Sequence, residues 1–279
     1  MNEIDLQTIL DRSGVQPPYW AFKRVSCGAD GVTALFIPEH QMEDEIGLIA
    51  AAEAGRHLAI LGSCAASSIA DAGRKYYLAV KATLTRAEFW PGTGSELEAT
   101  AEIVDLDRRQ LKARAVLSAG GPICTLDCTY KILTAALFEK FYGGHRHCGN
   151  PIATESPYRT PIPFGDLTEL PGGLATTCGP IDEIACAGHF PNFAAWPVAV
   201  VMHSLSRLAG RALQKDLGRP CSYSVVRAEI EADTLAFSIE VLQLKTTRIS
   251  TGGCDHHYHC FATSGERTVG KMKLELQEC

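Results

Sequence analysis

The chain has 279 residues, of which 46% are hydrophobic and 21% are charged, and its formal net charge is −6 at pH 7. This length fits two domains of about 140 residues each. The acidic balance gives no support to nucleic-acid binding, which needs a basic surface, and no apolar run reaches the roughly 18 residues of a membrane span. The eleven cysteines follow no repeated spacing, so we expect reduced thiols in a cytoplasmic protein.

The N-terminal half begins with one strand candidate and one long apolar helix candidate. The strand candidate covers Gly31 to Pro38, and the helix candidate runs from Ile46 to Ala66. The acidic residues 43–45 stand at the helix start, where the helix dipole favours negative charge. Four segments with alternating hydrophobicity follow and predict strands. They are Tyr76 to Phe89, Ser95 to Asp105, Leu111 to Ala119 and Pro122 to Leu133.

The C-terminal half repeats this order of elements. Thr176 to Cys186 is its leading strand candidate, and Val198 to Lys215 is its apolar helix candidate. The proline- and glycine-containing segment between Tyr142 and Gly173 is typical of a linker. We therefore predict an α+β fold with two modules, residues 1–150 and 151–279, each with antiparallel strands wrapped round one helix. The remaining strand candidates are Ser222 to Ala232, Thr234 to Lys245, Arg248 to Ala262 and Thr268 to Gln277.

A histidine stands shortly before the second helix, in the segment Gly188-His189-Phe190-Pro191. Trp196-Pro197 and an apolar first helical turn follow it. This order places one titratable ring at the mouth of an apolar region. A lone base in such a place suits proton removal beside the carbonyl of a fatty acyl thioester.

These residues resemble the signature of the 3-hydroxyacyl-acyl carrier protein dehydratases of the hotdog fold. The segment from Arg86 through the Pro91-Gly92 turn to Ile103 is also similar to that family. The resemblance implies a double hotdog, in which two antiparallel sheets, each round a central helix, form an intrachain pseudo-dimer. It also implies a hydro-lyase that converts a 3-hydroxyacyl thioester of acyl carrier protein or coenzyme A into the trans-2-enoyl thioester, in fatty acid or polyketide biosynthesis.

The family pairs the histidine of one module with a helical acid of its partner module. Fourteen residues after His189, where the family has that acid, this chain has His203. The N-terminal helix carries Glu53, the only carboxylate between Ile46 and Ile69. The resemblance therefore implies one complete site, with His189 as base and Glu53 as an acid whose pKa is raised by desolvation. A degenerate site is expected around His40 and His203.

The start of the helix that bears Glu53 is the expected donor of backbone N–H groups to the thioester oxygen. No cofactor is expected. No metal is expected either, since the run from Cys254 to Cys260 lacks the paired spacing of zinc ligands. The substrate-binding residues that the resemblance implies are Gly47, Leu48, Gly188, Phe190 and Pro197.

Several alternatives stay open at the level of the sequence. A hotdog thioesterase would use Glu53 to activate water, and His189 would then only orient that water. A non-catalytic acyl-binding subunit would account for the degenerate positions. Glu53 could also be a solvated helix residue paired with Arg56 or His57 at helical spacing.

Two expectations concern partners. Arg207, Arg211 and Lys215 recur every four residues along the second helix. This basic stripe could receive an acyl carrier protein, or it could simply be solvated. The pattern also allows two pseudo-dimers to pack as a homodimer.

Overall fold

The computed structural model describes residues 6–28, 31–70, 73–87, 96–147, 153, 155–252 and 254–279. These residues contain four α-helices and twelve β-strands. The helices are α1 Leu6–Ser13, α2 Ala51–Ile69, α3 Ala135–Tyr142 and α4 Val198–Leu217. The strands of the N-terminal half are β1 Arg24–Gly28, β2 Gly31–Phe36, β3 Lys75–Arg86, β4 Leu97–Leu106, β5 Gln110–Ser118 and β6 Pro122–Thr134. Those of the C-terminal half are β7 Thr168–Leu170, β8 Gly173–Cys178, β9 Tyr223–Ala232, β10 Leu242–Gly252, β11 Asp255–Ser264 and β12 Arg267–Glu278.

All twelve strands form one antiparallel sheet in the order β1-β2-β4-β5-β6-β3-β9-β12-β11-β10-β8-β7. The two halves meet where β3 pairs with β9, from Lys81 opposite Glu231 to Thr85 opposite Arg227. Outward from this seam, the order β3-β6-β5-β4-β2-β1 in one half matches β9-β12-β11-β10-β8-β7 in the other. Helices α2 and α4 pack against their own halves of the sheet and against each other. This is the pseudo-dimer that the double hotdog implied.

The two central helices differ in how they begin. Helix α4 starts at Val198, as predicted, whereas α2 starts at Ala51 and not at Ile46. The later start has a tertiary cause, because the Ile46 amide donates to the Tyr223 carbonyl at 2.8 Å and is therefore not available to the helix. The Glu45 carboxylate accepts from the Ala51 amide at 2.8 Å. An acidic side chain therefore accepts a hydrogen bond from the first turn of α2, at the helix end where negative charge is stabilising.

Three strand predictions in the C-terminal half were wrong in extent. The leading strand ends at Cys178, and a short 3-10 helix, Glu183–Cys186, follows with the Asp182 side chain accepting from the Ile184 amide at 2.9 Å. Residues 234–241 do not form a strand, and a turn at 238–239 is closed by the Glu240 amide, which donates to the Phe237 carbonyl at 2.8 Å. The run from 248 to 262 is split between β10 and β11, which pair with each other.

The linker contains structure of its own, namely two short 3-10 helices and β7, and α3 comes directly before it. The Pro91-Gly92 turn lies outside the described residues. So does the module boundary at residue 150, which stays a prediction. Among the described residues, no helix is both long and apolar enough to cross a membrane.

The N-terminal segment crosses to the other half. The Gln16 amide donates to the Gly188 carbonyl at 2.8 Å. Gly188 has φ +79°, and a Cβ atom there would lie 2.2 Å from the Gln16 carbonyl oxygen. Only glycine allows this approach. The contact brings the residues after Gln16, including Tyr19, against the histidine that follows Gly188.

Candidate active site

His189 lies in the loop between the 3-10 helix Glu183–Cys186 and α4. Its Nδ1 atom is 3.1 Å from the Ala195 carbonyl oxygen. Because a carbonyl only accepts, Nδ1 carries the hydrogen and Nε2 keeps its lone pair. The ring stacks on Phe190 at 4.0 Å and meets the edge of Tyr19 at 4.9 Å between centroids. The Ala195 contact and these two rings fix the imidazole in one orientation.

Burial controls the charge of this imidazole. His189 is 7% exposed, and burial lowers its pKa to about 4. The ring is therefore neutral at physiological pH. In the described part of the chain, Nε2 makes no hydrogen bond. His189 thus presents a free lone pair, which is what a general base requires.

His189 forms part of the wall of a cavity of about 170 Å³. The cavity lies between the helix pair, α2 and α4, and the central strands β3, β6, β9 and β12. Most of its surface is apolar. One face of α2 borders it with small residues at helical spacing. These are Ala52, Gly55, Ala59 and Ser63.

Glu53 lies in the first turn of α2 and is 2% exposed. Its carboxylate accepts the backbone amides of Glu39 and His40 at 2.7 and 3.2 Å. The side chains of Arg56 and His57 approach it to 3.9 and 3.6 Å. The pairing with Arg56 and His57 is therefore present, but in the interior and not on a solvated surface.

The expected protonation of Glu53 was wrong. Burial raises the pKa of this carboxyl, but its contacts with His57, the Glu39 amide and the Arg56 guanidinium together lower it by a larger amount. The net pKa lies below its ordinary value. Glu53 is therefore an ionised carboxylate, and at neutral pH it has no proton to donate.

A second, smaller pocket of about 20 Å³ lies on the wall of the helix pair near Glu53. Its walls include Glu53, Arg56, His40 and His203. The two histidine rings meet edge to face at 4.0 Å between centroids. Burial lowers the pKa of both rings, and that of His203 falls well below its ordinary value. A space of this size holds at most one or two water molecules.

The two cavities share Ala52, Arg56 and Ala199, which line both. His189 lines only the larger cavity and Glu53 only the smaller one. Within the described residues, no hydrogen bond or ion pair joins them. Their pairing in one site stays a prediction. The structure instead brings Glu53 together with the His40 and His203 pair.

Arg56 is the charged residue among the three that line both cavities, and the sequence did not single it out as a functional residue. Its guanidinium donates to Glu39 Oε1 at 2.5 Å. It also lies over the rings of Tyr158 and Tyr19, at 4.9 and 5.8 Å from their centroids. Tyr19 lines the larger cavity, and no sequence motif marks it. Both residues reach the site through contacts between distant segments.

The substrate-binding predictions occupy different places. Phe190 lines the larger cavity, and Pro197 is the N-cap residue of α4, next to Val198 in the cavity wall. Gly188 packs on the Gln16–Pro17 backbone. Gly47 and Leu48 lie in the segment before α2 and line neither of the two cavities.

The basic stripe of α4 is paired with acids. Arg207 contacts Glu43 at 2.8 Å. Arg211 and Lys215 lie 3.6 and 2.9 Å from further carboxylates, those of Asp44 and Glu169. This pairing reduces the positive field that an acidic partner would meet. Among the described residues, no three histidine, cysteine or acidic side chains gather as a metal site would require.

No protein-family model matches this sequence, and no curated protein matches it. Solved structures do match over most of the chain. The tesB protein of Mycobacterium avium subs paratuberculosis superposes with a TM-score of 0.59 and 12% identity, covering 92% of this chain and 96% of that one. The acyl-CoA thioesterase II TesB2 of Mycobacterium marinum gives 0.53 and 11%, with 99% and 98% covered. The 12:0-ACP thioesterase of Umbellularia californica gives 0.54 and 9%, with 88% and 94% covered.

These similarities establish the double hotdog fold, as predicted. They also correct the predicted reaction, because the similar structures carry the names of thioesterases, which are hydrolases, and not of dehydratases. The assignment as a hydro-lyase, together with the dehydratase and biosynthetic roles that followed from it, was wrong. The ionised state of Glu53 agrees with this correction, since dehydration would need that carboxyl as a proton donor.

Proposed function

We propose that this chain is a thioesterase that hydrolyses the thioester of an acyl chain carried by coenzyme A or acyl carrier protein. The acyl chain occupies the apolar cavity, and its carbonyl lies beside His189. The observation that carries this proposal is the neutral His189 imidazole with its free Nε2 in the wall of that cavity. The names of the structures with the same fold support the choice of reaction.

In the proposed reaction, His189 Nε2 accepts a proton from a water molecule as the water oxygen attacks the thioester carbonyl. The tetrahedral intermediate then collapses, the carbon–sulfur bond breaks, and the proton passes from His189 to the departing sulfur. The products are a carboxylic acid and a free thiol. A base in a fixed position contributes roughly 10²–10⁴-fold to such a step.

The shape of the cavity favours a linear acyl chain along α2. The small residues of α2 that line the cavity run from Ala52 to Ser63. At about 1.5 Å per residue they span roughly 16 Å. The corresponding face of α4 carries the larger Met202. The apolar surface of the cavity would stabilise a bound chain by about 0.8 kcal/mol per buried methylene.

Glu53 has an indirect role in this proposal. Its carboxylate lies 3.9 Å from Arg56, which lines the substrate cavity as well as the small pocket. A buried guanidinium needs compensating negative charge, and Glu53 and Glu39 supply it. Glu53 is therefore proposed as a positioning residue, with His189 as the catalytic residue.

Hydrolysis is tested by thiol release from saturated acyl-CoA and acyl carrier protein substrates of several chain lengths. We expect thiol release without formation of an enoyl thioester. His189→Ala should lower kcat/KM about 10²–10⁴-fold. His203→Ala is the matched control, since His203 is also buried and neutral but lines only the small pocket. Equal losses in both variants would contradict the assignment of His189.

A second candidate function is an acyl-binding subunit without turnover. It is favoured by the engagement of Glu53, whose two oxygens accept the Glu39 and His40 amides and thereby hold a loop to α2. A carboxylate used in this way need not act on substrate. Saturable binding of acyl-CoA by a preparation that releases no thiol would select this function.

A further inference from the structure

Tyr19 is a polar side chain in the wall of the substrate cavity, and no role in the proposed reaction has yet been given to it. It is 6% exposed and lines the same cavity as His189. Within the described residues, its hydroxyl makes no hydrogen bond. A hydroxyl that borders a cavity and has no protein partner is open to a hydrogen bond with a ligand or water. The position of Tyr19 therefore points to a polar group of the ligand.

The surroundings hold the Tyr19 ring in place. It packs edge to face on His189 at 4.9 Å and on Tyr158 at 5.1 Å between centroids. The Arg56 guanidinium lies 5.8 Å from its centroid. The docking of Gln16 on Gly188 fixes the segment that leads to this ring. The hydroxyl is thus positioned before any ligand binds.

The two polar groups at this end of the cavity are complementary. His189 Nε2 can only accept a hydrogen bond, because its Nδ1 carries the hydrogen. Burial raises the pKa of Tyr19 to about 12, so the phenol stays protonated and can donate. One acceptor and one donor suit a reacting pair in which water gives a proton and a carbonyl oxygen gains negative charge.

We propose that the Tyr19 hydroxyl donates a hydrogen bond to the carbonyl oxygen of the bound thioester and stabilises the oxyanion as water attacks. This rests on the proposed function. In the reaction, no bond of Tyr19 breaks, and the proton from water goes to His189 and then to the leaving sulfur. Tyr19 is therefore a catalytic residue that contacts the reacting group.

The test compares Tyr19→Phe with the matched control Tyr158→Phe. Tyr158 belongs to the same aromatic cluster, but its hydroxyl already donates to the Ala187 carbonyl at 2.8 Å. Removing one donor from an oxyanion site costs about 10²–10³ in kcat. We expect Tyr19→Phe to lower kcat by about that factor with KM little changed, and Tyr158→Phe to retain kcat within a few-fold.

A binding measurement keeps this proposal separate from the proposed function. The probes are two non-hydrolysable acyl-CoA analogues of equal chain length, a ketone with a methylene between sulfur and carbonyl, and a plain thioether without the carbonyl. Wild type should bind the ketone more tightly than the thioether. The ratio of these two affinities should be about tenfold smaller in Tyr19→Phe and unchanged in Tyr158→Phe. This readout works even in a protein that releases no thiol. An unchanged preference in Tyr19→Phe, or an equal loss in Tyr158→Phe, would overturn the role of Tyr19.

Discussion

The cavity beside His189 and the pocket beside His203 both border the α2–α4 helix pair, yet they differ in size and polarity. Arg56 and His203, each five residues after the first residue of its helix, both line the small pocket. On the His189 side, small residues of α2 leave about 170 Å³ of mainly apolar space. On the His203 side, His40 and the Pro157–Ile162 segment leave about 20 Å³. One region of the helix pair thus has room for a ligand, while the other is nearly closed.

The electrostatics of the two regions differ as well. The small pocket gathers ionised groups, with Glu53 and Arg56 in its walls and Glu39 paired to Arg56 at 2.5 Å. The larger cavity shares Arg56 with this pocket, but it also presents a neutral imidazole and a protonated phenol. Full charges are costly to bury without partners. A site that must take in an apolar chain benefits from neutral polar groups, and of these two cavities the Glu53 carboxylate lines only the smaller one.

The largest expected effect concerns acid stability, to which buried neutral histidines contribute. Burial lowers the pKa of His189 and of His57 to about 4 each. In the unfolded chain a histidine has a pKa of about 6.5. Below that pH, the unfolded chain binds protons that the native chain does not. The free energy of unfolding should therefore fall as the pH drops from about 6.5 to about 4, by up to about 3 kcal/mol per histidine.

Urea unfolding at a series of pH values measures this loss. His189→Phe removes one of these groups and should flatten the decline accordingly. A stability profile that is level between pH 6.5 and pH 4 in the wild type would contradict neutral burial of these rings.

The next effect tests the link between the two regions. Glu53→Gln removes a negative charge near Arg56 while keeping an acceptor for the Glu39 amide. We expect kcat/KM to fall about 10-fold and the free energy of unfolding to fall by about 1–3 kcal/mol. Thiol release and urea unfolding measure the two changes. Glu98→Gln, at an exposed position of β4, serves as the control, and a wild-type kcat/KM in Glu53→Gln would remove Glu53 from the mechanism.

The smallest expected effect sharpens the assignment of the acyl channel. Ala59→Leu inserts methyl groups into the α2 wall of the larger cavity. Long acyl chains should lose about 10-fold in kcat/KM because overpacking costs about 1–3 kcal/mol, whereas short chains should be hydrolysed as before. Thiol release across a chain-length series measures this. The surface variant Ala135→Leu should leave the profile unchanged, and a uniform loss at all lengths in Ala59→Leu would place the chain elsewhere.

Long, strongly patterned elements could be predicted from the sequence. Strands β5, β6, β9 and β12 and helix α4 lie close to their predicted bounds. Their periodicity is sustained over nine or more residues, so local chemistry outweighs competing conformations. The start of α2 and the end of β8 differ from prediction. Before α2, the Ile46 amide donates to the carbonyl of Tyr223, which is more than a hundred residues away in the sequence. No local sequence pattern predicts such a contact.

By itself the sequence determined the double hotdog order of helices and strands and the presence of a histidine beside an apolar helix. These depend on periodicity and on near neighbours in the chain. Only the tertiary structure decided that His189 is neutral and faces the larger cavity, that Glu53 is ionised and faces the smaller pocket, and that Tyr19 joins His189. Desolvation and charge pairing are set by segments that meet through space, and therefore the protonation states of this site exist only in the folded chain.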